Sequence, residues 1–120
     1  MEILAIDDNL TALAAVLTDR LPEAELLTAL NGPAGVDLAR VEDPDVILLD
    51  IIMPGTDGYA VCRELKKDSF LQAIPVLFLT ALRADKASRV KALEAGAEGF
   101  LSKPLSRHEL IAKIREALEA

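Results

Sequence analysis

The chain has 120 residues, with thirteen Lys plus Arg against twenty Asp plus Glu, one His and one Cys, giving a net charge of −7. That length suffices for one core burying roughly two-thirds of the unfolded surface without disulfides or a structural metal, and the negative balance repels nucleic-acid backbones and anionic membrane surfaces, so direct binding to either is not expected. The lone Cys62 excludes an internal disulfide and any multi-cysteine metal site and fits a reducing compartment.

Met1-Glu2 opens the chain without a basic segment, and the apolar run behind it, Ile3-Leu4-Ala5-Ile6, is four residues long. Neither a signal peptide nor a membrane span is predicted, so the protein is expected to be soluble and cytoplasmic. That run ends in Asp7-Asp8. Leu10, Leu13, Leu17 and Leu21 then recur at three and four, which predicts a first amphipathic helix. A weaker strand signal covers Glu25 to Ala29. Asn31-Gly32-Pro33 opens a second helix carrying Ala34, Leu38 and Val41, with Pro suited to the first helical position. Val46-Ile47-Leu48-Leu49 leads into Asp50, after which Pro54-Gly55 and Gly58 shape a loop that Met53 helps to fill. Tyr59, Cys62 and Leu65 predict a third helix, on which Cys62 reads as a small buried residue. The run Val76-Leu77-Phe78-Leu79 leads into Thr80, and Val90, Leu93 and Ala97 mark a fourth helix ending at Gly96. Gly99-Phe100-Leu101-Ser102 leads into Lys103-Pro104, and Leu110, Ile114 and Leu118 define a fifth helix that Ser106 and Glu109 start as a capping box. His108 falls on its polar side with no metal-spaced partner.

Short apolar runs bounded by turn signals are strands buried on both faces, the pattern of parallel sheets. Strand and helix alternate five times, which predicts an α/β domain, 1–120, with right-handed crossovers. The expected fold is the flavodoxin-like doubly wound (βα)5 with a five-stranded parallel sheet of order 2-1-3-4-5. That order sets the first and third strands side by side at the switch point, so Asp7-Asp8 and Asp50 would meet there, with Thr80 and Lys103 at neighbouring strand ends. Three carboxylates in one crevice raise one another's pKa unless a cation neutralises them. Hard oxygen ligands with room for water favour Mg²⁺.

The acidic pair Asp7-Asp8, the stretch Asp50-Ile-Ile-Met-Pro-Gly-Thr-Asp-Gly, Thr80-Ala81 and Lys103-Pro104, all in register, resemble the receiver domain of two-component response regulators over essentially the whole chain. The resemblance implies Mg²⁺ held by Asp8, Asp50 and the main-chain carbonyl of Ile52, with Asp7 acting largely through water. It implies that Asp50 accepts a phosphoryl group from a histidine kinase or a histidine phosphotransfer protein, that Thr80 and Lys103 bind the phosphoryl oxygens, that Ala81 leaves the approach open, and that Lys103-Pro104 is cis. It also implies a switch in which Thr80 and Phe100 respond and the face of the fourth helix, fifth strand and fifth helix takes a partner or a second copy. Ile52 and Leu82 are apolar where polar residues are frequent in the family, which bears on the lifetime of the phosphorylated state. An output domain, fused or separate, would lie outside this chain.

Three other readings compete. An Asp-dependent phosphatase needs an acid–base Asp two residues after the nucleophile, where Ile52 stands. A flavin carrier of this topology would need a hydroxyl- and glycine-rich first loop and covering aromatics, whereas the loop is Asp7-Asp8 and aromatics are 3% of the chain. A degenerate receiver serving as a dimerisation adaptor would lack a site residue, and none is missing.

Overall fold

The computed structural model describes residues 1–81, 85–104 and 106–119. Strands β1 (Glu2–Ile6), β2 (Glu25–Ala29), β3 (Val46–Asp50), β4 (Val76–Thr80) and β5 (Gly99–Ser102) alternate with helices α1 (Thr11–Arg20), α2 (Gly32–Glu42), α3 (Gly58–Lys67), α4 (Lys86–Glu94) and α5 (Arg107–Glu119). The strands form one parallel sheet in the order β2-β1-β3-β4-β5, the predicted arrangement. A two-residue antiparallel ladder, Ile52–Met53 against Thr56–Asp57, folds the loop after β3 back on itself. Pro54 and Gly55 turn its corner, Gly55 at φ 69°, a left-handed conformation that glycine adopts without steric cost.

Side chains alternate across the strands and build a core on each face. Ile3, Ala5, Val46, Leu48, Leu77, Leu79 and Leu101 pack with Leu13, Val16 and Leu17 of α1 and Leu110, Ile114 and Ala117 of α5. On the other face Leu4, Ile6, Ile47, Leu49, Val76 and Phe78 pack with α2, α3 and α4. Every residue of β3 and β4 is buried, as the unbroken apolar runs require.

Two helices present a different face from the one predicted. On α2 the buried residues are Gly32, Gly35, Val36 and Ala39, while Ala34 and Val41 are exposed and Leu38 is half-buried. The reason is close approach: a Cβ at Gly35 would stand 2.4 Å from Ile6 Cδ1, and one at Gly32 would stand 2.5 Å from Val61 Cγ2. The helix meets its neighbours through its glycines, which a count of large apolar residues overlooks. The helix also starts one residue early, so Pro33 is its second residue, with Asn31 Oδ1 accepting from the Ala34 N–H at 2.9 Å as the cap. On α4 the buried residue is Ala92, and Val90 and Leu93 point outward, 41% and 68% exposed. Its end falls where Gly96 predicts: Gly96 takes φ 96°, with Gly96 N–H donating to Leu93 O at 3.0 Å and Ala97 N–H to Ala92 O at 3.1 Å, the Schellman closure. At the start of α5 the Ser106 hydroxyl accepts from the Glu109 N–H at 3.3 Å.

Gly58 sets how tightly the loop after β3 can close. A Cβ there would lie 2.5 Å from both the Asp50 carbonyl oxygen and the Ile51 Cα, backbone atoms that cannot swing aside. We expect Gly58→Ala to destabilise the protein by about 1–3 kcal/mol, as overpacking typically does; an unchanged urea midpoint would contradict the close approach.

Candidate functional site

Four strands deliver their last or next residues to one edge of the sheet. Asp7 continues β1, with its N–H donating to Ala29 O of β2 at 3.1 Å. Asp50 ends β3 and pairs across with Leu79, which puts Thr80 of β4 one step beyond it. Lys103 continues β5, held to that edge by its N–H donating to Thr80 O at 2.7 Å, and the Lys103–Pro104 peptide is cis. Asp7, Asp50 and Thr80 are the buried polar residues among those described, while Asp8 lies exposed at the mouth.

One carboxylate oxygen from each of Asp7, Asp8 and Asp50 lies within 4.8 Å of the others. Lys103 Nζ donates to Asp7 Oδ2 at 2.7 Å and to Asp50 Oδ2 at 3.3 Å, bridging the two buried acids. Their remaining oxygens take main-chain donors: the Asn9 N–H donates to Asp7 Oδ1 at 3.1 Å and the Ile52 N–H to Asp50 Oδ1 at 3.2 Å. Burial, then the charge of Asp7 and a hydrogen bond with it, push the Asp50 carboxyl up to about 6, against the opposing pull of Lys103 and the Ile52 N–H. Burial by itself would lower the Lys103 ammonium, but its hydrogen bond to Asp7 and the charges of Asp50 and Asp7 raise it overall.

One ammonium therefore faces three acids. Two unit charges 4.8 Å apart repel by roughly 3 kcal/mol at an effective dielectric of about 20, and a divalent cation would relieve that repulsion. The donor set suits one: carboxylate oxygens only, two of them buried and pre-oriented, with the exposed Asp8 leaving the outer side open to water. The acidic cluster is thus able to bind a metal ion of the hard, oxygen-seeking class.

Every strand-end residue singled out from the sequence lies at this edge. Ala81 is exposed immediately beyond Thr80, and Ile52 presents an apolar side chain, 52% exposed, beside Asp50. Leu82 lies outside the described residues. Phe100 is half-buried against the core facing α4, Cys62 is buried with its thiol near Ala95, and His108 is exposed on α5. Sequence reasoning missed the main-chain donors that orient the carboxylates; the spacing of Asp7 to Asn9 and of Asp50 to Ile52, both the two-residue reach of an Asx turn, was the available signal.

Residues 3–115 match the response regulator receiver domain family. The chain is 43% identical over 116 residues to the response regulator PleD of Caulobacter vibrioides, a match covering 94% of this chain and 25% of that protein. It is 41% identical over 119 residues to the probable transcriptional regulator ycf27 of Guillardia theta, covering 98% of this chain and 45% of the relative. It thus spans between a quarter and about half the length of the curated relatives it matches. Among solved structures it is similar to the receiver domain of a Pseudomonas aeruginosa sensor histidine kinase, described with a magnesium ion coordinated in the active-site cleft, at a TM-score of 0.87 and 30% identity over 99% of this chain and 98% of that one. It is also similar to the signal receiver domain of a DNA-binding response regulator from Colwellia psychrerythraea, at a TM-score of 0.90 and 28% identity over 100% of this chain and 99% of that one. With the sheet order, the acidic cluster and a match along nearly its whole length in agreement, the chain belongs to the response regulator receiver domains.

Proposed function

We propose that this receiver domain takes a phosphoryl group from a phosphohistidine of a sensor kinase or phosphotransfer protein onto Asp50. The observation that carries the assignment is the shared ammonium: Lys103 bridges Asp7 and Asp50, with Asp8 within reach. Of the two buried acids, Asp50 ends the central strand and sits beside the loop that opens to solvent at Ile52. In the step itself an Asp50 carboxylate oxygen attacks phosphorus and forms the acyl phosphate bond as the phosphorus–nitrogen bond of the donor breaks, and the departing imidazole keeps the electron pair and takes up a proton. The protein's part is mainly positioning and charge neutralisation. Lys103 would turn from the carboxylates to a phosphoryl oxygen, Thr80 would donate its hydroxyl to another, and Ala81 would leave the approach clear. Asp8, Asp50 and the Ile52 carbonyl would hold Mg²⁺, with Asp7 through water, and the ion would offset the negative charge of the carboxylates and the phosphoryl group.

The consequence for signalling belongs to the same proposal. Phosphorylation adds about 1.5 to 2 negative charges at Asp50, to which Thr80 and Phe100 respond, altering the α4-β5-α5 face for a partner or a second copy. The output domain lies in a longer parent protein or a separate chain, and the domain performs no turnover beyond its own phosphorylation and dephosphorylation. Ile52 and Leu82 would slow that dephosphorylation, since apolar side chains cannot orient the attacking water. An Asp-dependent phosphatase is disfavoured by the same Ile52.

Incubation with Mg²⁺ and a small acyl phosphate donor should label the parent and leave Asp50→Asn unlabelled; equal labelling of the variant removes the assignment. Asp8→Asn should weaken Mg²⁺ binding about tenfold or more, because one of few charged ligands is lost, and superimposable titration curves would exclude a direct role for Asp8.

A third expectation follows from the raised carboxyl. Asp50 holds its proton up to about pH 6 in the folded state and only to about 4 when unfolded. The folded state therefore binds more protons between these values, and stability falls as pH rises through that window and then levels off. In chelator, Asp50→Asn should be more stable than the parent by about 1–3 kcal/mol at pH 7.5 and should lose that advantage below pH 4. Urea unfolding at the two pH values measures this; a constant difference would show that ionisation of Asp50 is not its source.

A further inference from the structure

The Ile52 main chain sits on a very short support. The ladder that carries it has two residues on each side, Ile52 against Asp57 and Met53 against Thr56, and a two-stranded hairpin is marginal by itself. The Ile52 side chain is exposed, so its peptide groups are placed by the hairpin rather than by burial. Met53 is buried and holds the hairpin from one side. Thr56, paired with Met53 and half-buried, meets α2 instead: a Cβ at Gly32 would stand 2.7 Å from Thr56 Cγ2, as well as 2.5 Å from Val61 Cγ2 of α3. Thr and Val are stiff at χ1, so neither methyl can readily turn away from an added atom.

The same stretch of chain reaches the other buried acid. The Asp7 N–H donates to Ala29 O at 3.1 Å, and Ala29 ends β2 just before Asn31 caps α2. Asn31 fixes where that helix starts, its Oδ1 accepting the Ala34 N–H at 2.9 Å and its carbonyl oxygen the Gly35 N–H at 3.1 Å. A Cβ at Gly35 would stand 2.4 Å from Cδ1 of Ile6, the residue before Asp7. Residues 29–35 therefore touch β1 beside Asp7 on one side and the hairpin behind Asp50 on the other, although none of their side chains enters the acidic cluster.

We propose that the junction of β2 and α2 is a brace that sets the separation between Asp7 and the hairpin, and that Gly32 is a positioning residue for the metal site. Bare backbone at residue 32 lets Thr56 seat against α2, and that seating fixes the hairpin at the depth where the Ile52 carbonyl joins Asp8 and Asp50 around Mg²⁺. The metal role of Ile52 rests on the reading given under the proposed function. The contact between Gly32 and the hairpin does not, and it can be tested without the ion.

Two double variants separate the brace from general overpacking, because each removes one of the two methyls that a new Cβ would meet. Gly32→Ala with Thr56→Ser frees the hairpin, and Gly32→Ala with Val61→Ala frees α3. Gly32→Ala alone should weaken Mg²⁺ binding about tenfold or more, as loss of the groups that orient metal ligands typically does. Adding Thr56→Ser should restore the affinity of Thr56→Ser by itself, whereas adding Val61→Ala should leave binding weak. Should Gly32→Ala alone not fold, the two doubles make the same comparison. In chelator, the Ile52 amide resonance should move in Gly32→Ala and in the double with Val61→Ala, and should return in the double with Thr56→Ser. Equal Mg²⁺ affinity in the two doubles, affinities that simply follow the urea midpoints across the set, or an Ile52 resonance indifferent to Gly32→Ala would overturn the brace. A parent that binds no Mg²⁺ would count against the metal reading and the positioning role together, while the Ile52 resonance would still decide whether Gly32 seats the hairpin.

Discussion

Asp7 and Asp50 share the ammonium of Lys103 in a corner largely closed to water, and the rest of the molecule is built to keep them there. Left to themselves, two neighbouring carboxylates would separate into solvent. They cannot, because Asp7 directly follows β1 and Asp50 ends β3, and the apolar residues of both strands are locked into cores on the two faces of the sheet. Crossing from β1 to β3 by way of the edge strand β2 makes those two strands neighbours, so the topology itself forces the like charges together. The hydrophobic burial of some thirty side chains is set against the repulsion of a few charges, and burial wins easily, since each large apolar side chain contributes on the order of 1.5–3 kcal/mol.

That imposed repulsion leaves the site in want of positive charge. Lys103 supplies one unit and is itself held by two acids, so it is already committed when a further anion arrives. A phosphoryl group at Asp50 would add negative charge where there is already an excess, and a divalent cation is the economical counterweight. The donor pattern is consistent with this. The Asn9 and Ile52 N–H groups orient one oxygen of each buried acid, which leaves the other oxygens and the exposed Asp8 to meet a cation or a phosphoryl group without a reorganisation of the backbone.

The sheet and the location of the site were readable from the sequence because both depend on continuous apolar runs ending in polar residues, a pattern in which every position carries information. The helix faces were less so. On α2 the contact is made by Gly32 and Gly35, whose contribution is the absence of a side chain, and on α4 by Ala92, too small to register in a count of leucines and valines. Val41, Val90 and Leu93 drew the predicted stripe outward for the same reason. The Lys103 bridge was implied by convergence, but its preference for Asp7 over Asp50, 2.7 against 3.3 Å, depends on side-chain reach that no one-dimensional pattern encodes.

Of the five helices α4 buries the fewest of its own residues, and the difference falls where a signalling domain could use it. α1 and α5 are secured by Leu13, Val16, Leu17, Leu110 and Ile114, large side chains interleaved across one core. α4 lays only Ala92, within its own length, against the other. By the usual scaling, truncating a buried leucine leaves a cavity costing about 2–5 kcal/mol, whereas an alanine contact has little to lose. Displacement of α4 would therefore cost far less than displacement of α5, and the free energy of one phosphoryl group's hydrogen bonds and charge, of the order of a few kcal/mol, is enough to compete with the first but not the second. If Asp50 is phosphorylated as proposed, the small contact surface of α4 is what would let a modification at the strand ends reach the surface without unfolding the domain.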